Sequence, residues 1–196
     1  NSFVCQGEGP KTLESLLEVT DFEDYSQLSR VPGLWYKNKT TGQIESTPQA
    51  PLIINLDEEM DMLPFEHLDL KRYRTANWHS WTNNNETTPF ASIYTSLGCP
   101  FKCNFCMINA PFNHGDTKNN MFRNWSPENI IKKFDFLAEN NIKNIKIADE
   151  MFVFKKQHYV ELCKLIDERK YDFNIWAYAR IDTVKEQYLE ILKNAG

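Results

Sequence analysis

From residue 90 onward the sequence alternates three times between a short apolar run and a longer stretch with apolar residues at helical spacing. The runs are FASIYTS at 90–96, IKNIKIAD at 142–149 and FNIWAYAR at 173–180. After the first run, Ser126 can cap a helix with Pro127 at its first position. Ile130, Ile131, Phe134, Leu137 and Ala138 then form the inward stripe. The stretch KKQHYVELCKLIDERK puts Tyr159, Leu162, Cys163 and Ile166 on one helical face, and TVKEQYLEILKNAG supplies a third helix. Repeated strand–helix alternation predicts an α/β fold on a parallel sheet with right-handed crossovers. Three βα units are less than half of a closed eightfold barrel, and the chain stops where a fourth strand is due. The expectation is an open sheet or a fragment.

Upstream the pattern is weaker. SFVCQ at 2–6 reads as a short strand entering Gly7-Glu8-Gly9, and Pro10 opens a helix with Leu13, Leu16 and Leu17 at helical spacing. One strand–helix unit cannot bury its own faces, so this looks like the tail of a larger α/β domain. From about 31 to 89 the sequence is irregular. GLWYKNKTTGQIES resembles a hairpin with a polar turn, the segment from Thr47 to Leu70 carries prolines and acids, and NWHSWTNNNETTP is a polar loop.

Of the 196 residues, 41% are hydrophobic and 25% charged, an ordinary globular balance. No apolar run approaches the length that spans a bilayer. The start lacks the basic and apolar regions of a signal peptide and reads like a chain entered midway. A net charge of −5 argues against binding nucleic acid. Five cysteines is an odd count, three of them too tightly clustered for a disulfide framework, which points to a reducing, cytoplasmic setting and a metal. The triplets beginning at Asn38, Asn85 and Asn124 match the glycosylation pattern by chance in an Asn-rich chain.

The cluster, SLGCPFKCNFCMI at 96–108, follows the first predicted strand, at the end where parallel α/β folds place their chemistry. Three readings compete. Buried structural thiols fit poorly with the flanking Gly98, Pro100 and Lys102. A zinc site would need His114 as fourth ligand. An iron–sulfur cluster held by three thiolates would keep one iron open to a substrate or cofactor.

Cys99-x3-Cys103-x2-Cys106, with Phe105 before the third cysteine, resembles the signature of the radical S-adenosylmethionine superfamily. The resemblance implies a [4Fe-4S] cluster on Cys99, Cys103 and Cys106. Its open iron would chelate S-adenosylmethionine, which the cluster cleaves to methionine and a 5′-deoxyadenosyl radical. It also implies Phe105 beside the adenine, against the plainer reading of core packing. TSLGCPFKCNFC is similar to the cobalamin-binding subclass, and so are GEGPKTLESLLE, LDEEMDMLPFEHLDL, DEMF and AYARID. On that resemblance, 1–30 is the end of a Rossmann-like cobalamin-binding domain with Gly7, Glu8 and Gly9 at the cofactor. Residues 31–89 are a linker, and 90–196 the first three βα units of a partial parallel (β/α) barrel.

The subclass implies cobalamin-dependent methylation or related radical chemistry on a carbon centre of a small-molecule or peptide substrate. The electron donor would be ferredoxin or flavodoxin. A fragment of this kind is not expected to turn over S-adenosylmethionine alone. Alternatives are a cobalamin-independent enzyme such as a methylthiotransferase, which would need a second cysteine set that Cys5 alone does not supply, and a non-catalytic zinc module.

The sequence departs from the subclass pattern at Leu97, Phe65 and Pro10, and has no Asp-x-His-x-x-Gly motif to name a cobalt ligand. Asp149 and Glu150 suit the ammonium of S-adenosylmethionine or a helix cap. Arg180 suits the cofactor carboxylate or a salt bridge to Asp149 or Asp182. Cys5 and Cys163 read as buried thiols, and His67, His79 and His158 as structural. Of Trp176 and Tyr178, one is expected to face the barrel interior.

Overall fold

The computed structural model describes residues 2–75, 87–108 and 122–196. His79, His114 and Asn85 lie outside the described residues. The described chain forms two compact units, one of 2–54 with 98–108 and the other of 55–75, 87–97 and 122–196.

In the first unit, β1 (Phe3–Cys5) pairs antiparallel with β2 (Leu34–Lys37), which pairs antiparallel with β3 (Ile44–Ser46). The β2–β3 turn is closed by Asn38, whose N–H donates to the Gln43 carbonyl at 2.9 Å and whose side chain donates to Glu45 at 2.7 Å. That amide belongs to the hairpin, which accounts for the first glycosylation-like triplet. Helices α1 (Pro10–Leu17) and α2 (Tyr25–Leu28) accompany the sheet. Leu28, Val31, Leu34 and Tyr36 form the core, with Phe3, Leu16, Val19 and Tyr25 packed against it.

This corrects the expected division at residue 30. The three-residue β1 draws its hydrogen-bond neighbour from the hairpin at 34–46, so 31–54 belongs with 2–30 and the linker reading fails there. Pairing in this unit is antiparallel, not the parallel arrangement of a Rossmann-like sheet. Of the α1 leucines, Leu13 and Leu17 are exposed while Leu16 packs inward, and Cys5 is exposed rather than a buried thiol.

The second unit contains a four-stranded sheet in the order β4 (Arg74–Thr75), β5 (Thr88–Ile93), β8 (Asn144–Ile147), β9 (Asn174–Ala177). β5, β8 and β9 run parallel, and β4 joins the start of β5 antiparallel. A two-residue pair, β6 (Ser96–Leu97) with β7 (Arg123–Asn124), stands apart from this sheet. α4 (Pro127–Glu139) connects toward β8 and α5 (Lys156–Glu168) connects β8 to β9, the two crossovers the alternation calls for.

Ser126 caps α4, its hydroxyl accepting from the Asn129 N–H, with Pro127 at the first helical position. Ile130, Ile131, Phe134 and Leu137 are buried, as the stripe requires. The α4 start is also held from the preceding segment. Asp57, in α3 (Leu56–Glu59), accepts from the Ser126 N–H at 3.0 Å and from the Asn129 amide at 2.8 Å, and Trp125 donates its indole N–H to the Met60 carbonyl at 2.8 Å. A carboxylate at a helix N-terminus satisfies donors that the helix leaves open. The downstream helical expectation shortens to a 3-10 turn at Glu186–Tyr188 and α6 (Leu189–Asn194).

Side-chain alternation divides the parallel sheet into two faces. Ala91, Ile93, Ile145 and Ile147 are buried, and Ile147, Ile175 and Ala177 line an apolar cavity of about 250 Å³ with Cys163 and Ile166 of α5 and Leu189 and Leu192 of α6. The opposite face carries Ser92, Lys146 and Trp176 in one register row. Among the described residues, no helix is long and apolar enough to cross a membrane.

Candidate functional site

Chain order carries β5 through Tyr94 and Thr95 into β6, and β6 directly into the cysteine loop. The root of that loop is pinned by a buried polar network. Asp149, two residues beyond β8, is fully buried and accepts three hydrogen bonds. These come from the Thr95 N–H, the Thr95 hydroxyl and the Ser96 hydroxyl, each at 2.6 Å. The register explains the meeting. Ile93 of β5 pairs with Ile147 of β8, so Thr95 and Asp149 each lie two residues past the same rung.

Burial pushes the Asp149 carboxyl above the usual carboxylate range, opposed by the bonds from Ser96 and Thr95. The network extends to His158 on α5, whose Nε2 lies 3.0 Å from the Thr95 hydroxyl. Because that hydroxyl gives its single proton to Asp149, it accepts from His158 Nε2–H, which leaves Nδ1 as the unprotonated nitrogen. Nδ1 is buried with no hydrogen-bond partner among the described residues. Burial, with the charge of Lys155 adding to it, lowers the His158 pKa to about 4.

Glu150 follows. Its Oε2 is buried without a partner among the described residues, and its pKa is raised by burial and further by the charge of Asp149. Neither acid caps a helix. Asp149 has both oxygens engaged with Thr95 and Ser96, so of the two salt bridges expected as alternatives for Arg180 the one to Asp149 does not form. Arg180 instead grips Asp182, with Nε and Nη2 at 2.9 and 2.8 Å from its two carboxylate oxygens.

In the loop itself, Gly98 has φ 83°, a left-handed conformation that bends the chain as it leaves β6 and that a side chain would strain. Cys99, Cys103 and Cys106 are all free of disulfides. Cys99 and Cys103 are half-buried and Cys106 is exposed. The Cys106 N–H donates to the Cys103 carbonyl at 3.0 Å, a tight turn between two of the thiols. No three His, Cys, Asp or Glu side chains among the described residues are gathered as a ready metal-binding group. The fit to a cluster is therefore one of donor chemistry, with three thiols outside any disulfide within eight residues, whose gathering would accompany binding, as is usual where a metal couples to local folding. Phe105 is 93% exposed, so core packing does not account for it.

Gly7 and Gly9 both have left-handed φ, at 90° and 91°, and a Cβ at Gly7 would meet the Gln49 amide nitrogen at 2.7 Å. Between them, Glu8 accepts from the Ile53 N–H at 3.3 Å. Residues 1–54 contain no histidine, so no cobalt ligand is assigned there. Cys163 is buried, with its thiol pushed up to about 12, in keeping with an inert core thiol. Sequence reasoning gave no role to Thr95, Ser96 or Asp57. The Thr-Ser before Gly98 stood inside a quoted motif, but nothing in its spacing tells which carboxylate it serves.

No protein-family profile matches the chain. An uncharacterized methyltransferase of Pyrococcus horikoshii, PH0819, is 27% identical over 194 residues, covering 98% of this chain and 38% of that protein. The tryptophan 2-C-methyltransferase of Streptomyces laurentii is 22% identical over 142 residues, covering 68% of this chain and 22% of that protein. Among solved structures, the radical S-adenosylmethionine methyltransferase TsrM of Kitasatospora setae, with tryptophan and an S-adenosylmethionine analogue bound, aligns over 99% of this chain and 35% of its own. Its TM-score is 0.62 at 18% identity. OxsB, a cobalamin-dependent S-adenosylmethionine radical enzyme, aligns over 98% of this chain and 25% of its own at TM-score 0.63 and 23% identity.

Over the span they share, the fold is similar to that of TsrM and OxsB. The resemblance read from the cysteine spacing and its companion motifs thus agrees with the three-dimensional likeness. The chain spans well under half the length of these relatives. TsrM has also been solved with cobalamin and a [4Fe-4S] cluster bound, at TM-score 0.61 to this chain.

Proposed function

We propose that this chain is the cluster-bearing part of a cobalamin-dependent radical S-adenosylmethionine enzyme, with Cys99, Cys103 and Cys106 as the three ligands of a [4Fe-4S] cluster. The observation that carries the reading is the cysteine loop itself. Three thiols free of disulfides follow β6, shortly after the exit of the parallel strand β5 and behind a root held by the buried Asp149 network. When bound, the cluster would supply the electron for reductive cleavage of S-adenosylmethionine.

The chain's own residues would then divide the work. Glu150, whose buried Oε2 lacks a partner among the described residues, would accept from the ammonium of S-adenosylmethionine. Phe105 would stack on the adenine, which suits a ring exposed in the free chain. Asp149 would act as anchor of the loop root rather than as a cofactor contact, and Arg180 as the partner of Asp182. Gly7, Glu8 and Gly9 would meet cobalamin through their backbone, where the two left-handed glycines allow close approach.

The reaction of the whole protein would be methyl transfer to a carbon centre of a small molecule or peptide. It would be fed by a low-potential donor of the ferredoxin or flavodoxin kind in the reducing cytoplasm. The parallel sheet of 88–177 would be the opening part of the barrel.

Anaerobic reconstitution with iron and sulfide tests the ligand set. The wild-type chain is expected to turn brown with stoichiometric iron and sulfide, and Cys103→Ala to lose most of both. Wild-type iron content in Cys103→Ala, or a colourless chain that takes up zinc instead, would refute the assignment.

A further inference from the structure

On the sheet face opposite the helices, β8 and β9 build a cluster that the reading above leaves unused. Lys146 places its ammonium 5.0 Å from the ring centre of Trp176 and 5.5 Å from that of Tyr178. The two rings meet edge to face with centroids 4.4 Å apart and planes at 75°. Strand alternation assembles this. Ile175 and Ala177 turn toward the helices, so Trp176 and Tyr178 share the other face, and both, rather than one of them, stand there beside Lys146.

The register extends the cluster across the sheet. Ser92, Lys146 and Trp176 occupy one row. One residue beyond the last paired rung, Tyr94 and Tyr178 follow β5 and β9 and are 39% and 46% exposed. The burial that Tyr94 does have, together with the charge of Glu150, raises its pKa.

Lys146 has no carboxylate partner among the described residues, and its ammonium lies over two aromatic rings instead. A ring face attracts a cation but accepts none of its hydrogen bonds in the way an oxygen does. A half-buried ammonium with three donors, beside a free-standing serine hydroxyl and framed by three aromatic rings, is chemically complementary to a planar acid. We infer that Lys146, Ser92, Tyr94, Trp176 and Tyr178 form a subsite for an aromatic carboxylate, with the acid on Lys146 and Ser92 and the ring against the aromatic side chains. The assignment of that ligand as substrate rests on the enzyme reading above, but the binding itself needs no cluster.

The same carboxylate chemistry is present in S-adenosylmethionine, and the experiment separates the two. The chain, labelled with 15N-tryptophan, is titrated with benzoate, benzamide and S-adenosylmethionine, and binding is followed at the indole N–H resonance that Trp176→Phe removes. Benzoate is expected to shift that resonance, and benzamide, equal in shape but uncharged, to bind more weakly. Lys146→Gln should weaken benzoate about tenfold or more, while Lys146→Arg keeps most of the affinity. The remaining indole resonances report that each variant is folded.

Equal benzoate affinity in wild type and Lys146→Gln would overturn the subsite, as would equal binding of benzamide. Displacement of benzoate by S-adenosylmethionine would overturn the substrate assignment. Iron content of the same preparations is read separately, so a failure of the cluster proposal is distinguishable from a failure here.

Discussion

Acidification should weaken this fold through one side chain. His158 is buried as the neutral imidazole, with a folded pKa of about 4 against 6.5 for the free group. As pH falls through 6.5 the unfolded chain takes up a proton that the folded chain refuses. The stabilisation is therefore complete above the unfolded value and is lost progressively toward pH 4. The full window is worth on the order of 3 kcal/mol, and the part between about pH 7.5 and about pH 5 is worth about 2 kcal/mol. For a chain of this size that corresponds to a midpoint shift of about 4–8 °C.

Asp149 works in the opposite sense. Its folded pKa is raised, so its contribution is present below its unfolded value and is lost as pH rises. The comparison that isolates His158 is therefore between wild type and His158→Gln, since an amide can still donate to the Thr95 hydroxyl but does not titrate. Urea unfolding of both proteins at the two pH values gives the difference of differences. Wild type should lose about 2 kcal/mol more than His158→Gln on acidification. Parallel losses in the two proteins would refute the buried neutral imidazole and the tautomer assigned from it.

Thr95→Val keeps the shape of the side chain but removes a hydroxyl that donates to Asp149 and accepts from His158. It should cost about 2–3 kcal/mol in denaturant unfolding, with Thr95→Ser restoring most of it, and a neutral valine variant would contradict the network. Arg180→Ala removes an exposed ion pair with Asp182 and should change stability by less than about 1 kcal/mol. Calorimetric titration should find its affinity for S-adenosylmethionine near that of wild type, and a large loss there would return Arg180 to the cofactor site.

The part of the fold that could be read from the sequence is the part whose burial is periodic. In α4 the residues at Ile130, Ile131, Phe134 and Leu137 are within a few per cent of fully buried, and in α5 so are Tyr159, Leu162, Cys163 and Ile166. A helix buried on one face writes its orientation into the chain at every turn. The first unit carries no such record. β1 and β3 have three residues each, too few for alternation to show, and β1 meets its partner β2 across roughly thirty residues of intervening chain. Its antiparallel pairing is a tertiary choice, and that is why a strand–helix pattern that suggested a parallel domain misled. Asp57 was obscured for a related reason: its bond to the start of α4 spans 69 residues, so no local capping pattern reveals it.

The candidate site was readable where chemistry demands a residue type and unreadable where it demands only a position. Three thiols at fixed spacing stand out in the sequence, because few roles other than metal binding crowd them into eight residues, and the proposed cluster rests on that spacing. Asp149 drew attention as a carboxylate at a strand end, yet a carboxylate there serves equally as cap, cofactor contact or anchor, and only the pairing of β5 with β8 decides. Once Ile93 and Ile147 share a rung, Thr95 and Asp149 are brought level just beyond it, and three short hydrogen bonds offset the cost of desolvating the acid. Those bonds hold the chain at Thr95 and Ser96, with only Leu97 between them and the left-handed Gly98 that turns the chain into its cysteines. Rigidity at that root is what a loop needs if its thiols are to be gathered by a ligand without freezing the whole loop at the same time, since the ordering cost falls with each residue already fixed.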